Sequence, residues 1–96
     1  MGISEIIGKQ KEQILALAAK YGARHVRVFG SVARGTADAD SDIDFLVDVE
    51  DGRSLLDLGG LLIELEKLLG HKVDVITPAG LRTRIRQRVL TEAVDL

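Results

Sequence analysis

The 96-residue chain has no cysteine and only two histidines, His25 and His71. The absence of cysteine excludes disulfide bonds, zinc sites with thiolate ligands and thiol nucleophiles. Two histidines are too few for a histidine-rich metal site. Aromatic residues make up 3% of the chain and the formal net charge is -2. These values argue against autonomous nucleic-acid binding, because proteins that bind nucleic acid usually present basic and often aromatic surfaces.

The sequence also lacks a long hydrophobic run. Its apolar segments are too short to cross a bilayer, so we expect no membrane association. The first 20 residues contain acidic side chains and no continuous apolar block, so we expect no signal peptide and a cytoplasmic location. The length predicts a single domain over residues 1–96. Because so small a domain has little surface for gripping a large substrate, we expect a partner protein or a second copy of the chain to contribute.

Three segments carry the spacing of apolar residues that is typical of amphipathic helices. The first predicted helix is capped by Ser4 and ends at Gly22. The second begins at Ser54, which with Asp57 resembles a capping box, and ends at Gly70. The third begins with Thr77 as N-cap and Pro78 as first helical residue, and it continues to Leu90.

Three further segments are predicted strands: "HVRVFG" (25–30), "IDFLVDV" (43–49) and "HKVDVIT" (71–77). The C-terminal "TEAVDL" is compatible with the end of the last helix or with an edge strand. The order helix, strand, strand, helix, strand, helix predicts an α+β (two-layer α/β) fold, in which a small mixed sheet is flanked by helices.

Acidic residues interrupt two of the predicted strands. Residues two apart in a strand point to the same side, so Asp42 and Asp44 are expected to form a pair of carboxylates. This pair is also compatible with the solvent-facing side of an acidic edge strand. That interpretation explains Asp74 poorly, because a single charge among β-branched residues is costly unless it is paired or metal-bound. If the second and third strands are neighbours, Asp74 faces the pair, and three carboxylates suit Mg²⁺ or Mn²⁺ held together with substrate phosphates.

A glycine-rich turn precedes the aspartates. "GSVARG" (30–35) has the outline of a phosphate-binding P-loop, but Thr36 and Ala37 stand where that motif needs lysine and a hydroxyl residue. What remains is a turn at Gly30 and Ser31 that leads into a short helical segment and directs N–H groups and a hydroxyl towards an anion. Arg34 is expected to reach the same anion or a structural carboxylate. An anion site followed by metal-binding carboxylates is the arrangement that metal-assisted phosphoryl or nucleotidyl transfer requires.

These residues resemble the nucleotidyltransferase superfamily that includes DNA polymerase beta. Its signature is Gly-Ser, about ten residues, Asp-x-Asp and a third Asp on a later strand, and the chain matches it with Gly30-Ser31, Asp42-x-Asp44 and Asp74. The fuller stretch "GSVARGTADADSDIDFLV", which includes Arg34 and Ser41, is similar to the minimal nucleotidyltransferases of prokaryotes. The resemblance extends from the first helix to the C-terminal "EAV".

The resemblance implies a role for each matched residue. Asp42 and Asp44 would bind two Mg²⁺ ions, and Asp74 would bind one of them and help to deprotonate the acceptor hydroxyl. Gly30 and Ser31 would hold the β- and γ-phosphates of a nucleoside triphosphate. Arg34 and Ser41 belong to the same nucleotide-binding motif.

The resemblance also implies a partner. Many minimal nucleotidyltransferases are similar to antitoxins that are paired with HEPN-domain ribonuclease toxins, in which AMP is transferred from ATP to a tyrosine of the toxin. Two alternatives stay open. One is nucleotidyl transfer to a small molecule, and the other is a binding module that masks a toxin without chemistry. In the second case the last helix would meet an acidic partner surface through Arg82, Arg84, Arg86 and Arg88, although these arginines are also compatible with an ordinary solvated helix face.

Overall fold

A computed structural model describes residues 1–96. Its α-helices are α1 (Ile3–Ile6), α2 (Lys11–Lys20), α3 (Gly30–Arg34), α4 (Leu55–Leu69) and α5 (Thr83–Glu92). Its strands are β1 (Ala23–Phe29), β2 (Ile43–Val49), β3 (Val73–Ile76) and β4 (Val94–Asp95). Two 3-10 helices cover Gly8–Gln10 and Pro78–Gly80. No helix is long and apolar enough to span a bilayer.

The four strands form one sheet in the order β3-β2-β1-β4. Strand β1 is antiparallel to both β2 and β4, whereas β2 and β3 are parallel. The predicted mixed sheet flanked by helices is therefore confirmed. Because β2 lies inside the sheet, its aspartates do not belong to an edge strand, and that alternative is wrong. The C-terminal tail contains both the end of the last helix and an edge strand, since α5 ends at Glu92 and β4 follows it.

The larger part of the core lies between the sheet and helices α2 and α4. Its members alternate along the strands and recur at helical spacing, and they include Ile14, Ala18, Val28, Ile43, Phe45, Val47, Leu61 and Leu65. A smaller apolar cluster covers part of the opposite face, where Phe29 and Leu46 of the sheet pack with Leu81 and Val89. The rest of that second face is left to polar residues, because α5 covers only one part of it.

Two helix boundaries differ from the sequence prediction. The first helix is broken at Gly8, whose φ of 42° is left-handed, and Gly2 rather than Ser4 is the N-cap of α1. The apolar spacing resembles that of one helix because Ile7 before the break and Ile14 and Ala18 after it all lie in the main core. The prediction of one helix from Ser4 to Gly22 was therefore wrong at its start.

The last predicted helix is also divided. Thr77 caps only the 3-10 helix, where its Oγ1 accepts a hydrogen bond from the N–H of Gly80 at 3.3 Å. The chain is then extended at Leu81, which is buried in the smaller cluster, and at Arg82, the N-cap of α5. Thr77 and Pro78 do begin a helix, but the burial of Leu81 ends it after one turn.

Helix α4 agrees with its prediction. The hydroxyl of Ser54 accepts a hydrogen bond from the N–H of Leu56, and the carboxylate of Asp57 accepts one from the N–H of Ser54. Gly70 ends the helix with a φ of 67°. The first turns contain Gly59 and Gly60, and a Cβ at Gly60 would lie 2.6 Å from Cε1 of Tyr21. Gly60 therefore allows α4 to approach the end of α2 closely, whereas a Cβ at Gly59 would meet no atom within 4 Å.

This contrast gives a matched test of helix packing. Gly59→Ala should raise the free energy of unfolding by about 1 kcal/mol, because alanine restricts the unfolded chain and favours the helix. Gly60→Ala should stabilise the protein less than Gly59→Ala does, because the Tyr21 ring must move to admit the methyl group. Urea denaturation of both variants measures the difference, and equal stabilisation by the two alanines would contradict the close packing at Gly60.

Candidate active site

The candidate site lies on the sheet face that faces away from α2 and α4. Alternation along β2 directs Ile43, Phe45 and Val47 into the main core and therefore directs Asp44 to the opposite side. The register pairs Asp44 with Asp74 across the parallel strands β2 and β3. The second and third strands are therefore neighbours in the sheet, as predicted, and their pairing brings these two carboxylates together.

Asp42 and Asp74 are both exposed, and for Asp74 this exposure differs from the sequence description. Asp42 lies just before β2, which begins at Ile43, and its side chain is exposed. Asp74 is within β3 as predicted, but it is exposed. The argument that the charge of Asp74 is costly among apolar neighbours was therefore wrong. The carboxylate that needs compensation is Asp44, which is half-buried.

Asp44 lies among negatively charged side chains. Burial, followed by the charges of Asp74 and Asp42, raises the pKa of Asp44 to about 6. The positive charge of Arg34 acts in the opposite direction, and the charge of Glu92 adds to the rise. All four side chains are thus close enough to act on Asp44. A bound cation would remove much of this penalty, since an opposite charge favours the ionised carboxylate.

Gly30 joins this cluster to the turn that follows β1. Phe29, the last residue of β1, pairs with Asp44 in the antiparallel register, so the next residue passes beside the Asp44 carboxylate. Gly30 has a φ of 74°, and a Cβ there would collide with Oδ2 of Asp44. Only glycine fits this position without displacement, because the backbone is left-handed and the space for a side chain is occupied.

The short helical segment predicted after Gly30 and Ser31 is α3. Arg34 lies in its last turn, and its Nη1 donates a hydrogen bond of 2.7 Å to Oε1 of Glu92. The N–H of Gly30 donates to Oε2 of the same carboxylate at 3.0 Å. We refer to these two donors, the Gly30 N–H and the Arg34 guanidinium, as the anion cradle. Glu92 was not singled out from the sequence, and no local pattern indicates it, because α5 is far along the chain from both donors.

The two hydroxyl residues of the motif have different surroundings. Ser31 follows Gly30 in α3 and is partly buried. Ser41 belongs to the loop before β2, where its Oγ accepts a hydrogen bond of 2.9 Å from the N–H of Asp38 and donates to Oδ1 of that residue at 3.2 Å. Asp38 and Asp40 are exposed, as expected for loop residues. Ser41 therefore orders the turn that leads to Asp42.

Asp42, Asp44 and Asp74 supply oxygen ligands of the chemical kind that Mg²⁺ prefers. No group of three or more histidine, cysteine, aspartate or glutamate side chains is arranged to hold a metal ion by itself. Mg²⁺ is usually bound by one or two carboxylates, and water and substrate phosphates supply the other oxygens. The paired Asp44 and Asp74, with Asp42 nearby, offer oxygen ligands of this kind in a cluster that lacks enough positive charge.

The four arginines of the last helix are exposed. None of Arg82, Arg84, Arg86 and Arg88 forms an ion pair within the chain. Arg86 donates one hydrogen bond to the carbonyl oxygen of Leu81 at 3.2 Å. Helix α5 therefore presents a basic surface that ends at Glu92, beside the anion cradle.

Comparison with known proteins places this geometry in a family. Residues 10–96 match the family model described as nucleotidyltransferase domain. A predicted protein adenylyltransferase of Methanocaldococcus jannaschii is 43% identical over 96 residues, which are 100% of this chain and 99% of that protein. The protein adenylyltransferase MntA of Thermococcus cleftensis is 41% identical over 92 residues, which are 96% of this chain and 90% of that protein.

Solved structures of nucleotidyltransferase-like proteins have a similar fold. The structure of a predicted minimal nucleotidyltransferase superposes with a TM-score of 0.87 and 50% identity, over 100% of this chain and 97% of the other. A chain in the crystal structure of a toxin-antitoxin complex with AMP-PNP superposes with a TM-score of 0.75 and 25% identity, over 88% of this chain and 70% of the other. The resemblance that the sequence motif indicated is therefore confirmed.

The raised pKa of Asp44 predicts how stability depends on pH. Between pH about 4 and about 6 the folded state binds more protons at Asp44 than the unfolded state, so the free energy of unfolding falls as pH rises. Without divalent cations, Asp44→Asn should be more stable than the wild type at pH 7 by on the order of 1 kcal/mol, a value reduced for partial exposure. The difference should vanish near pH 3.5.

Urea denaturation in EDTA at several pH values measures this difference. Asp51→Asn is the control, because Asp51 is exposed in a loop away from the cluster. A stability difference for Asp44→Asn that does not change with pH would contradict the assignment.

The collision at Gly30 predicts a second, independent effect. Gly30→Ala should lower the free energy of unfolding by about 2–3 kcal/mol, from left-handed strain and displacement of Asp44. Gly35→Ala is a matched control, since Gly35 has a φ of 80° but no atom within 4 Å of an added Cβ. It should cost only about 1 kcal/mol, the strain alone. Equal losses in thermal denaturation would show that the Asp44 contact is unimportant.

Proposed function

The chain belongs to the nucleotidyltransferase domain family and is a nucleotidyltransferase, and we propose that it transfers AMP from ATP to a hydroxyl group of a partner protein in a Mg²⁺-dependent reaction. The observation that carries this proposal is the pairing of Asp44 with Asp74 next to the anion cradle. One side of the site thus offers carboxylates for metal, and the other offers N–H donors for phosphate. In this proposal residues 1–96 form one minimal nucleotidyltransferase domain.

Each residue of the motif has a proposed role. Asp42, Asp44 and Asp74 would hold Mg²⁺, two ions as in the resemblance or Mn²⁺ in their place. When bound, the metal would neutralise the phosphate oxygens and make the α-phosphorus easier to attack. Gly30, Ser31 and Arg34 would bind the β- and γ-phosphates, since N–H and guanidinium donors match phosphate oxygens. Ser41 would contribute to nucleotide binding indirectly, because it orders the loop that leads to Asp42.

The proposed reaction is a single displacement at the α-phosphorus. The acceptor oxygen forms a bond to that phosphorus while the bond to the bridging oxygen of the β-phosphate breaks, and pyrophosphate leaves. Asp74 is the residue that we assign to accept the proton of the acceptor hydroxyl, because it is exposed and therefore accessible to a group on another molecule. The product is an AMP ester of the acceptor.

The relatives support a protein acceptor. Both similar proteins reported above are named as protein adenylyltransferases, and one similar structure belongs to a toxin-antitoxin complex with AMP-PNP. We therefore propose that the partner is a toxin of the HEPN ribonuclease class, that the acceptor is a tyrosine hydroxyl, and that AMP transfer makes the chain an antitoxin. The cytoplasmic location, the preference for ATP and the contribution of a second copy stay predictions.

The basic surface of α5 favours a second candidate function. The three arginines of α5 and Arg82, its N-cap, form no ion pair in the chain, so they are available to an acidic surface of another protein. In this alternative the chain neutralises its partner by binding alone. Transfer to a small molecule is the less favoured alternative, because both relatives reported above are named as protein adenylyltransferases.

A transfer experiment with the product of the neighbouring gene tests the proposal. ATP labelled at the α-phosphate should label that protein when Mg²⁺ is present, whereas ATP labelled at the γ-phosphate should not, because pyrophosphate leaves. The double variant Asp42→Asn and Asp44→Asn should reduce labelling by about 100-fold or more, since charge stabilisation at the phosphates is usually the largest catalytic contribution. Labelling that survives in this variant would overturn the mechanism.

The control carries the same change of charge outside the cluster. Asp40→Asn with Asp51→Asn removes two exposed loop carboxylates and should leave labelling unchanged. If the Asp42 and Asp44 variant still neutralises the partner when the two proteins are equimolar, the binding alternative is correct. Labelling of a small hydroxyl compound but not of the protein would support the third alternative.

A further inference from the structure

The anion cradle already holds an anion from the chain itself. Glu92, the last residue of α5, accepts a hydrogen bond from Arg34 at 2.7 Å with one carboxylate oxygen and from the Gly30 N–H at 3.0 Å with the other. Its side chain is 18% exposed. The Gly30 N–H and one N–H of the Arg34 guanidinium are thus engaged by a carboxylate that comes from a distant part of the sequence.

This carboxylate is ionised at neutral pH. Burial acts to raise its pKa, but the hydrogen bonds from Arg34 and Gly30 and the charges of Arg34 and Arg88 outweigh that effect and hold the pKa of Glu92 below its ordinary value. The group in the cradle therefore carries a full negative charge. A phosphate oxygen that approaches the cradle meets an occupied Gly30 N–H, an Arg34 guanidinium that already donates to Glu92, and electrostatic repulsion.

We propose that Glu92 competes with the polyphosphate of the nucleotide for the anion cradle and so sets the affinity for ATP. This inference rests on the proposed role of Gly30 and Arg34 in phosphate binding. When a β- or γ-phosphate binds the Gly30 N–H, the Glu92 carboxylate has to leave it, because one N–H group forms one strong hydrogen bond. Arg88, one turn earlier on α5, offers the released carboxylate another partner, since its charge already acts on Glu92.

A purely structural role for Glu92 makes different predictions. If the carboxylate only fastens α5 to the sheet, its removal lowers stability and leaves the affinity for phosphate unchanged or weaker. If it competes, its removal strengthens phosphate binding whatever happens to stability. Affinity and stability must therefore be measured on the same protein.

The test is calorimetric titration of the full chain with magnesium tripolyphosphate and with magnesium AMP-PNP. Glu92→Gln keeps the size of the side chain but removes its charge, and it should bind both probes about 10-fold more tightly than the wild type, the order of one charge-assisted hydrogen bond. Glu64→Gln is the matched control, because Glu64 also pairs with a cation, Lys20 at 3.2 Å, on the other side of the molecule. Unchanged or weaker binding by folded Glu92→Gln overturns the proposal.

A measurement on the wild-type chain covers the case in which this variant does not fold. With carbon-13 in the glutamate carboxyl groups, addition of tripolyphosphate should shift the Glu92 carboxyl signal together with the amide signal of Gly30. A Gly30 amide that shifts while the Glu92 carboxyl signal stays fixed shows that phosphate binds without displacing Glu92, which overturns the proposal.

These results separate the inference from the proposed function. If neither the wild type nor Glu92→Gln binds AMP-PNP, and no AMP is transferred to the partner, the proposed function is wrong and the inference falls with it. If the wild type binds AMP-PNP and transfers AMP, and Glu92→Gln binds with the same affinity, only the role of Glu92 is wrong.

Discussion

Strand β2 has one apolar face, which is buried in the main core, and one face that carries Asp44. The candidate site depends on the register that keeps each side chain on its own face. Ile43, Phe45 and Val47 fill the main core, so the register of the strand is fixed by burial. The same register directs Asp44 to the other face and pairs it with Asp74 of β3. A shift of one residue would bury the carboxylate and expose the apolar side chains. The hydrophobic core is therefore what holds the catalytic candidates in place.

The constraints on the neighbouring turn follow from Asp44. Because Phe29 pairs with Asp44, the chain that leaves β1 has to pass beside a carboxylate, and Gly30 leaves room for it. The left-handed φ of Gly30 begins α3, which places Arg34 where its charge acts on Asp44. The anion cradle and the carboxylates are therefore adjacent because the chain passes beside Asp44 where it leaves β1.

The sequence predicted those features that depend on local pattern or on the family motif. Helix α4 could be predicted with its caps because Ser54, Asp57 and Gly70 act within one or two turns of the chain. The break at Gly8 could not be predicted, because it depends on a left-handed glycine. The early end of the helix that begins at Thr77 could not be predicted either, because it depends on the burial of Leu81 in the smaller apolar cluster. Asp44 and Asp74 were found as candidates, but that Asp44 is the half-buried one depends on tertiary packing. Glu92 was missed because its contacts join distant parts of the chain.

The candidate site carries more negative than positive charge near Asp44. Asp42, Asp74 and Glu92 bring negative charge to the neighbourhood of Asp44, and the positive charge of Arg34 opposes them. A triphosphate adds further negative charge, so this group of side chains repels its own substrate unless cations enter with it. Release of Glu92 from the cradle would lower that repulsion at the phosphate end, while divalent metal would lower it at the carboxylate end. Nucleotide, metal and the end of α5 are therefore expected to act as one electrostatic unit, in which each changes the affinity for the others.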